Sequence, residues 1–174
     1  MALGCFQTFL TYLFRLICTP PSDSPTLHSF MSLLALEGIV DSGTRAVILA
    51  EHRILKEHEE IKEDNLKVRI KKMKKRGFYK PIIADYKTNV ILDGHHKWNA
   101  AKEFGLSKVP TIFVNYNEEG VKVDVWPNCG KDSITKKEVI AMGLSDNVYP
   151  PKTSKHTFDF EIPIISIPLE SLRE

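Results

Sequence analysis

The sequence predicts one small α/β domain, and three observations support this. Short, β-branched apolar runs alternate along the chain with stretches that have helical spacing. The composition, 43% hydrophobic and 26% charged over 174 residues, is ordinary for a single globular domain. No internal repeat or low-complexity run interrupts the pattern. We therefore expect a small mixed sheet with packed helices.

Charge and cysteine content exclude several classes of protein. With 24 Lys and Arg against 22 Asp and Glu, the net charge is only +2, so no global field favours nucleic acid. The three cysteines, Cys5, Cys18 and Cys129, are odd in number and lack zinc-type spacing. We expect neither a disulfide scaffold nor structural zinc, and a cytoplasmic protein.

Residues 1–30 differ from the rest and are interpreted as an N-terminal extension or linker. Residues 2–18 are apolar, but the run contains Arg15 and is too short for a stable membrane span. A proline-rich break follows at residues 20–25. The segment is an amphipathic surface helix, a helix packed on the domain, or sequence upstream of a natural start at Met31, which we favour. Residues 31–174 form the predicted domain.

The first half of that domain contains a strand, a helix and a hairpin. Residues 46–50 are typical of a buried strand. Leu66, Ile70 and Met73 share one helical face, and Gly77 suits the C-terminal end of that helix. Apolar residues 81–84 and 90–92 flank a polar loop, which predicts a hairpin.

Residues 90–106 are the centre of the functional prediction. An apolar strand stops at Asp93 and Gly94, and a helix then begins with His95, His96 and Lys97. Free amide groups at a helix start attract phosphate, and glycine lets the backbone approach a ligand. The alternative is a strand, turn and helix with a capping aspartate and two surface histidines.

The second half is predicted to hold two more strands, at residues 109–114 and 121–126. Thr135 and Glu138 form a capping box that opens a helix closed by Gly143. Residues 162–167 are strand-like, and Pro163 suits an edge strand.

The predicted helix around Ile70 is strongly basic. Solvated lysines are the commoner explanation, and no aromatic residues are interleaved for stacking on bases, so we do not expect nucleic-acid binding. Its cations are Lys67, Arg69, Lys71, Lys72, Lys74, Lys75 and Arg76.

Three separated motifs resemble a known family. Residues 91–98 (ILDGHHKW), the strand ending at Trp126, and residues 151–156 (PKTSKH) are similar, in this order, to the ParB/sulfiredoxin-like superfamily and within it to the free serine kinases of archaea. The resemblance runs from about residue 46 to the C-terminus. It implies the ParB/sulfiredoxin-like fold.

The resemblance also implies a function: phosphoryl transfer from ADP or ATP to the hydroxyl of free L-serine, or a close analogue, giving O-phospho-L-serine with Mg²⁺. It implies that Glu59 is the general base and that Asp93 is catalytic and holds the metal. The implied nucleotide- and phosphate-binding residues are Gly94, His95, His96, Lys97, Lys152, Thr153 and Ser154. The implied substrate-binding residues are Trp126, Lys155 and His156.

The residue types suit this chemistry. A serine hydroxyl is a weak nucleophile, so a carboxylate that takes its proton is useful. Glu57 and Glu60 are neighbouring candidates for the base, and Glu59 is chosen by its motif match. The histidines are alternatively transition-metal ligands, and Trp126 alternatively a core residue.

Two departures and two rival functions remain. Lys97 and Lys155 stand where arginine is usual in the family, which removes bidentate recognition of phosphate or carboxylate.

The main rival is a ParB-like regulator that binds nucleotide and DNA, although no second helical domain follows. A sulfiredoxin is disfavoured because residues 90–106 contain no cysteine.

Overall fold

The structure, a computed structural model, describes residues 45–173. The predicted N-terminal extension, the break at residues 20–25 and Met31 lie outside the described residues. Within residues 45–173, none of the helices is long and apolar enough to cross a bilayer.

The main sheet has four strands and is mixed, as predicted. Its strands are β1 (Ile48–Glu51), β2 (Ile82–Asp85), β3 (Ile91–Asp93) and β4 (Lys108–Val114), in the order β1-β4-β2-β3. β2 and β4 run parallel, and the other two pairs are antiparallel. The β2 and β3 pair is the predicted hairpin.

Both faces of β2 are covered, which explains its continuous apolar run. Every residue of β2 is buried. Because side chains alternate across a strand, Ile82 packs into one apolar cluster with Met73 and Phe78, whereas Ile83 packs into a second with Val139. The prediction of a buried strand at residues 46–50 was wrong, because β1 is an edge strand in which only Ala50 is buried and Leu49 is 43% exposed.

Three α-helices accompany this sheet within residues 45–173. α1 (Glu63–Arg76) and α2 (His95–Glu103) pack against each other, and α1 contributes the predicted apolar stripe to the first cluster. α3 (Lys136–Gly143) contributes Val139 to the second cluster and begins with the predicted capping box of Thr135 and Glu138. Two short 3₁₀ helices are also present, at His52–Ile54 directly after β1 and at Leu169–Leu172 near the end of the described residues.

The sequence prediction was wrong about residues 154–167. β5 (Val121–Val125) pairs antiparallel with β6 (Ser154–Phe158) in a separate two-stranded sheet, so residues 154–158 form a strand and not only a loop. Residues 162–167 form only an isolated bridge, between Ile167 and Phe78. Pro163 has no amide hydrogen to donate to a ladder, whereas residues 154–158 have side chains on alternating faces.

We predict that Gly77→Ala lowers the free energy of unfolding by about 3 kcal/mol or more. Gly77 has φ +68° and ψ −160°, and an added Cβ would lie 2.2 Å from the carbonyl oxygen of Ile167. Gly105→Ala is the matched control, because Gly105 also has positive φ (+64°) but nothing lies within 4 Å of an added Cβ. It should cost only about 1 kcal/mol. Equal losses in urea unfolding would show that the contact with Ile167 is unimportant.

Candidate active site

A cleft of about 580 Å³ gathers nearly all of the predicted site residues. Three stretches that are distant in sequence meet there: the segment before α1, the start of α2, and the β5–β6 sheet with the turn before β6. The predicted residues that line the cleft are Glu59, Asp93, Gly94, His95, His96, Lys97, Trp126, Lys152, Ser154, Lys155 and His156. Thr153 is the exception: it is buried, and its hydroxyl donates to the carbonyl oxygen of Pro150 (2.8 Å).

The segment at residues 56–60 is extended and held on both sides. On one side, Ile91 N donates to the oxygen of Lys56 (2.9 Å). On the other side, Tyr149 N donates to the oxygen of His58 and Glu60 N to the oxygen of Tyr149, both at 2.9 Å. Successive side chains of an extended segment point in opposite directions. His58 is therefore fully buried, while Glu59 lines the cleft.

The Glu59 carboxylate binds the turn that leads into β6. Its Oε1 accepts a hydrogen bond from Lys152 N (2.7 Å). Its Oε2 accepts from Thr153 N (3.1 Å), Ser154 N (2.8 Å) and Ser154 Oγ (3.0 Å). Hydrogen bonds to an ionised acceptor are stronger than neutral ones. Glu59 thus fixes this turn at the edge of the cleft.

Gly94, not Asp93, is the N-cap of α2. Its φ of +111° is one that L side chains rarely adopt, and an added Cβ would lie 3.2 Å from Cγ1 of Ile82 and 3.1 Å from Cε of Lys97. The alternative of a capping aspartate is therefore incorrect. The Asp93 carboxylate is about half exposed in the cleft mouth beside the helix start.

Lys97 lies under this helix start. Its ammonium donates to the carbonyl oxygen of Pro81 (2.7 Å) and lies 3.7 Å from Oδ2 of Asp93, with 7% of the residue exposed. Burial lowers the pKa of the amine, and Asp93 opposes that effect. In this arrangement the lysine braces the loop around Gly94 from below.

Three imidazoles lie next to one another at the cleft: His95 and His156 line it, and the fully buried ring of His58 lies beside both. His95 Nε2 lies 3.2 Å from His58 Nδ1, and the rings of His58 and His156 are 5.8 Å apart. Beyond them, the hydroxyl of Tyr116 is hydrogen-bonded to His156 Nε2 (2.7 Å). Burial, chiefly, lowers the pKa of His58 to about 4, that of His156 to about 3, and that of His95 well below its usual value. All three rings are neutral at pH 7.

His58 and Tyr116 are site residues that the sequence reading missed. His58 Nδ1 donates to the carbonyl oxygen of Ile91 (2.7 Å), and burial raises the pKa of the Tyr116 phenol. The available signal was alternation in the extended residues 56–60, which places His58 opposite Glu59.

The hydroxyl of Ser154 has two acceptors for its single proton. Its Oγ lies 2.8 Å from His58 Nε2 and 3.0 Å from Oε2 of Glu59. With Nδ1 of the neutral His58 ring donating to Ile91, Nε2 is an acceptor. The Ser154 hydroxyl can therefore rotate, so that it donates to His58 Nε2 instead of Glu59 Oε2 when the Glu59 carboxylate loses its negative charge.

Trp126 lies at the edge of the cleft beneath two cations and is 36% exposed. The ammonium groups of Lys152 and Lys155 lie 5.3 and 5.2 Å from the centre of its rings, a distance that gives a cation–π attraction. The alternative that Trp126 is a core residue therefore does not hold.

Within residues 45–173, no group of three or more His, Cys, Asp or Glu residues is arranged to hold a metal ion, so the structure does not support the transition-metal alternative. Magnesium needs less from a protein, because one or two carboxylates and substrate phosphates often suffice. The partly exposed carboxylate of Asp93 fits that requirement.

We predict that the buried imidazoles make stability fall as the pH is lowered from about 6.5 to about 4. In that range the unfolded chain binds protons at these histidines and the folded chain does not. Each ring contributes up to about 1.4 kcal/mol per pH unit. His156→Gln keeps a hydrogen-bond partner for Tyr116 and removes one titrating group, so the slope of stability against pH from urea unfolding should fall measurably. Identical slopes for the two proteins would contradict the assignment.

The sequence is similar to a ParB-like protein and to L-serine kinases of archaea. No family model matches the chain. A ParB-like protein of Sulfolobus acidocaldarius is 39% identical over 72 residues, which is 41% of this chain and 36% of the relative. An ATP-dependent L-serine kinase of Staphylothermus marinus is 39% identical over 74 residues, 40% of this chain and 29% of the relative. An ADP-dependent L-serine kinase of Thermococcus kodakarensis is 29% identical over 77 residues, 41% of this chain and 32% of the relative. The chain thus matches about a third of the length of these relatives.

Solved structures share the fold over a larger part of the chain. A free serine kinase in complex with AMP has a TM-score of 0.67 at 18% identity, covering 74% of this chain and 94% of the kinase. SbnI from Staphylococcus aureus, with a C-terminal truncation, has a TM-score of 0.62 at 12% identity, covering 74% of this chain and 89% of SbnI. These structures confirm the predicted ParB/sulfiredoxin-like α/β fold, and the sequence is similar to a ParB-like protein and to L-serine kinases.

Proposed function

We propose that this protein is a nucleotide-dependent kinase that phosphorylates free L-serine or a close analogue, with ADP or ATP as donor. The observation that carries the proposal is the meeting of Glu59, the start of α2 and the lysine-bearing turn at one cleft. The relatives with serine kinase names support the reaction class, and the free serine kinase structures support the fold.

The transferred phosphoryl group would bind at the start of α2. Amide groups and the positive end of the helix dipole suit an anion there, and Gly94 has no side chain to block close approach. His95 and His96 line the same place. Nε2 of His96 accepts from Lys62 N (3.2 Å) and Nε2 of His95 lies 3.2 Å from His58 Nδ1, so the Nδ1 atom of each ring is the one that would meet a ligand. Neutral rings avoid repelling Lys152 and Lys155 before the ligand arrives, and they hydrogen-bond to it without added charge.

Glu59 would take the proton of the serine hydroxyl. Oε1 accepts one hydrogen bond and Oε2 accepts three, so Oε1 keeps capacity for a further donor from the cleft. The serine O–H bond breaks as its oxygen bonds to phosphorus and the nucleotide P–O bond breaks, leaving AMP from ADP or ADP from ATP. When Glu59 is protonated, the Ser154 hydroxyl turns to His58 Nε2.

The amino acid would lie between Glu59 and Trp126. Lys155 offers a positive charge to its carboxylate, and the Trp126 ring, which lies beneath Lys152 and Lys155, borders that side of the acceptor site. A lysine in place of the arginine usual in the family binds a carboxylate through a point charge, so we expect a weaker and less selective acceptor site. Mg²⁺ held by Asp93 and the phosphates would neutralise charge on the transferred group.

The direct test is to incubate the full chain with Mg²⁺, serine and either ADP or ATP and to detect O-phosphoserine by mass spectrometry. Threonine and homoserine in parallel reactions define the acceptor. Phosphoserine formation supports the proposal. Salt-sensitive binding to duplex DNA without any phosphorylated amino acid would favour the ParB-like regulator instead.

We predict that Glu59→Gln lowers kcat by about 100-fold or more, since general bases contribute that much. Glu60→Gln is the matched control: this neighbouring glutamate also lines the cleft, but its carboxylate makes none of the bonds to residues 152–154. It should keep near-normal kcat. Nucleotide affinity and thermal stability, measured for both variants, separate loss of the base from loss of the turn. Full activity of Glu59→Gln would overturn the assignment.

A further inference from the structure

Three cations that line the cleft have no role in the proposed kinase reaction. Arg69 and Lys72 come from α1, and Lys80 follows it in the chain; all three line the cleft. We refer to Arg69, Lys72 and Lys80 as the α1-side cations. The sequence reading attributed the first two only to a solvated or nucleic-acid-binding helix surface.

Helix geometry explains why only some cations of α1 reach the cleft. Asn65, Arg69 and Lys72 are spaced i, i+4 and i+7, which places them on one face. That face adjoins the apolar stripe that anchors α1 to the core. The other five basic residues of α1, Lys67, Lys71, Lys74, Lys75 and Arg76, are exposed and do not line the cleft.

The α1-side cations lack carboxylate partners. Among the ion pairs within residues 45–173, none includes Arg69, Lys72 or Lys80. They are nevertheless close to other basic groups. After burial, the proximity of Arg69 is a cause that lowers the pKa of His96, and Arg69 and Lys80 both lower that of Lys97.

This concentration of like charge is unfavourable unless an anion joins it. Lys72 is partly stabilised, because its ammonium lies 4.0 Å from the centre of the Tyr79 ring. No equivalent contact is present for Arg69 in the described part of the chain. A bound polyanion would relieve the repulsion and gain charge-assisted hydrogen bonds, of which arginine can donate two to one phosphate.

We propose that the α1-side cations bind the phosphate groups that remain on the nucleotide after transfer. The inference rests on the proposed function, in which the transferred phosphoryl group lies at Gly94 and the acceptor lies beside Glu59 and Trp126. Arg69, which comes from α1, lines the same cleft as His96 and Asp93. The attacking and leaving oxygens would then occupy opposite sides of the transferred group, as in-line displacement requires.

The test compares two double variants of the full chain with the same spacing and loss of charge. Arg69→Gln with Lys72→Gln removes the cations that line the cleft, and Lys71→Gln with Lys74→Gln removes two exposed cations of the same helix. Binding of ADP, AMP and inorganic pyrophosphate is measured by calorimetry, and kcat and the KM values for nucleotide and serine by product formation. Circular dichroism confirms that both variants fold.

The cleft variant should bind ADP and pyrophosphate at least about tenfold more weakly per lost cation, a factor typical of charged hydrogen bonds. Its KM for serine should be unchanged, and the control should match the natural protein within about twofold, as expected for exposed charges. Equal nucleotide and pyrophosphate binding by the two variants would overturn the inference, even if phosphoserine forms. Pyrophosphate binding that only the cleft variant loses would support the subsite even if serine is not a substrate. Equal loss of duplex DNA binding by both variants, with unchanged pyrophosphate binding, would overturn it in favour of a nucleic-acid surface.

Discussion

The cleft depends on one side chain that joins two distant parts of the chain. The carboxylate of Glu59 accepts four hydrogen bonds from Lys152, Thr153 and Ser154, at the turn that leads into β6. These donors lie 93, 94 and 95 positions after Glu59 in the chain. Lys152 in that turn has a φ of +64°, which is uncommon for a residue other than glycine. Local preference alone does not favour this backbone. The carboxylate therefore stabilises the conformation that puts Lys152 and Lys155 beside Trp126.

The same constraint explains how a small domain can build a polar cleft. The extended segment at residues 56–60 lies between the main sheet and Tyr149, so it sends His58 into the interior and Glu59 into the cleft. His58 is hydrogen-bonded to Ile91 and Ser154 and contacts His95. It therefore links β3, β6 and the start of α2 next to the cleft. Neutral rings are favoured there because burial penalises imidazolium.

Much of the fold could be predicted because local rules and packing agree. The β2–β3 hairpin, the stripe on α1 and the capping box of α3 each arise from short-range patterns that the core then reinforces. The partner of β5 could not be predicted, because pairing with β6 depends on a contact across about thirty residues. Residues 154–158 have a strand pattern, but their lysine, serine and histidine resemble a binding loop.

Site residues that belong to a recognisable motif could be predicted from the sequence. Site residues whose position depends on the packing of the folded chain could not. Asp93, Gly94, His95 and His96 meet Glu59 and Lys152 as the resemblance implied, although their chemical roles remain predictions. Lys97 could be expected to bind phosphate from its charge alone, yet it bonds to Pro81 beneath the loop. The positions of His58 and Arg69 depend on which face of an element meets the cleft, and only the assembled structure defines that face.

A crystal structure of the full chain with bound ADP tests the central claim most directly. The account predicts electron density for the β-phosphate at the start of α2, near Gly94 and His95, with the remaining phosphate towards Arg69 and with Glu59 still bound to the turn before β6. Nucleotide density elsewhere on the domain, with this cleft unchanged, would contradict it.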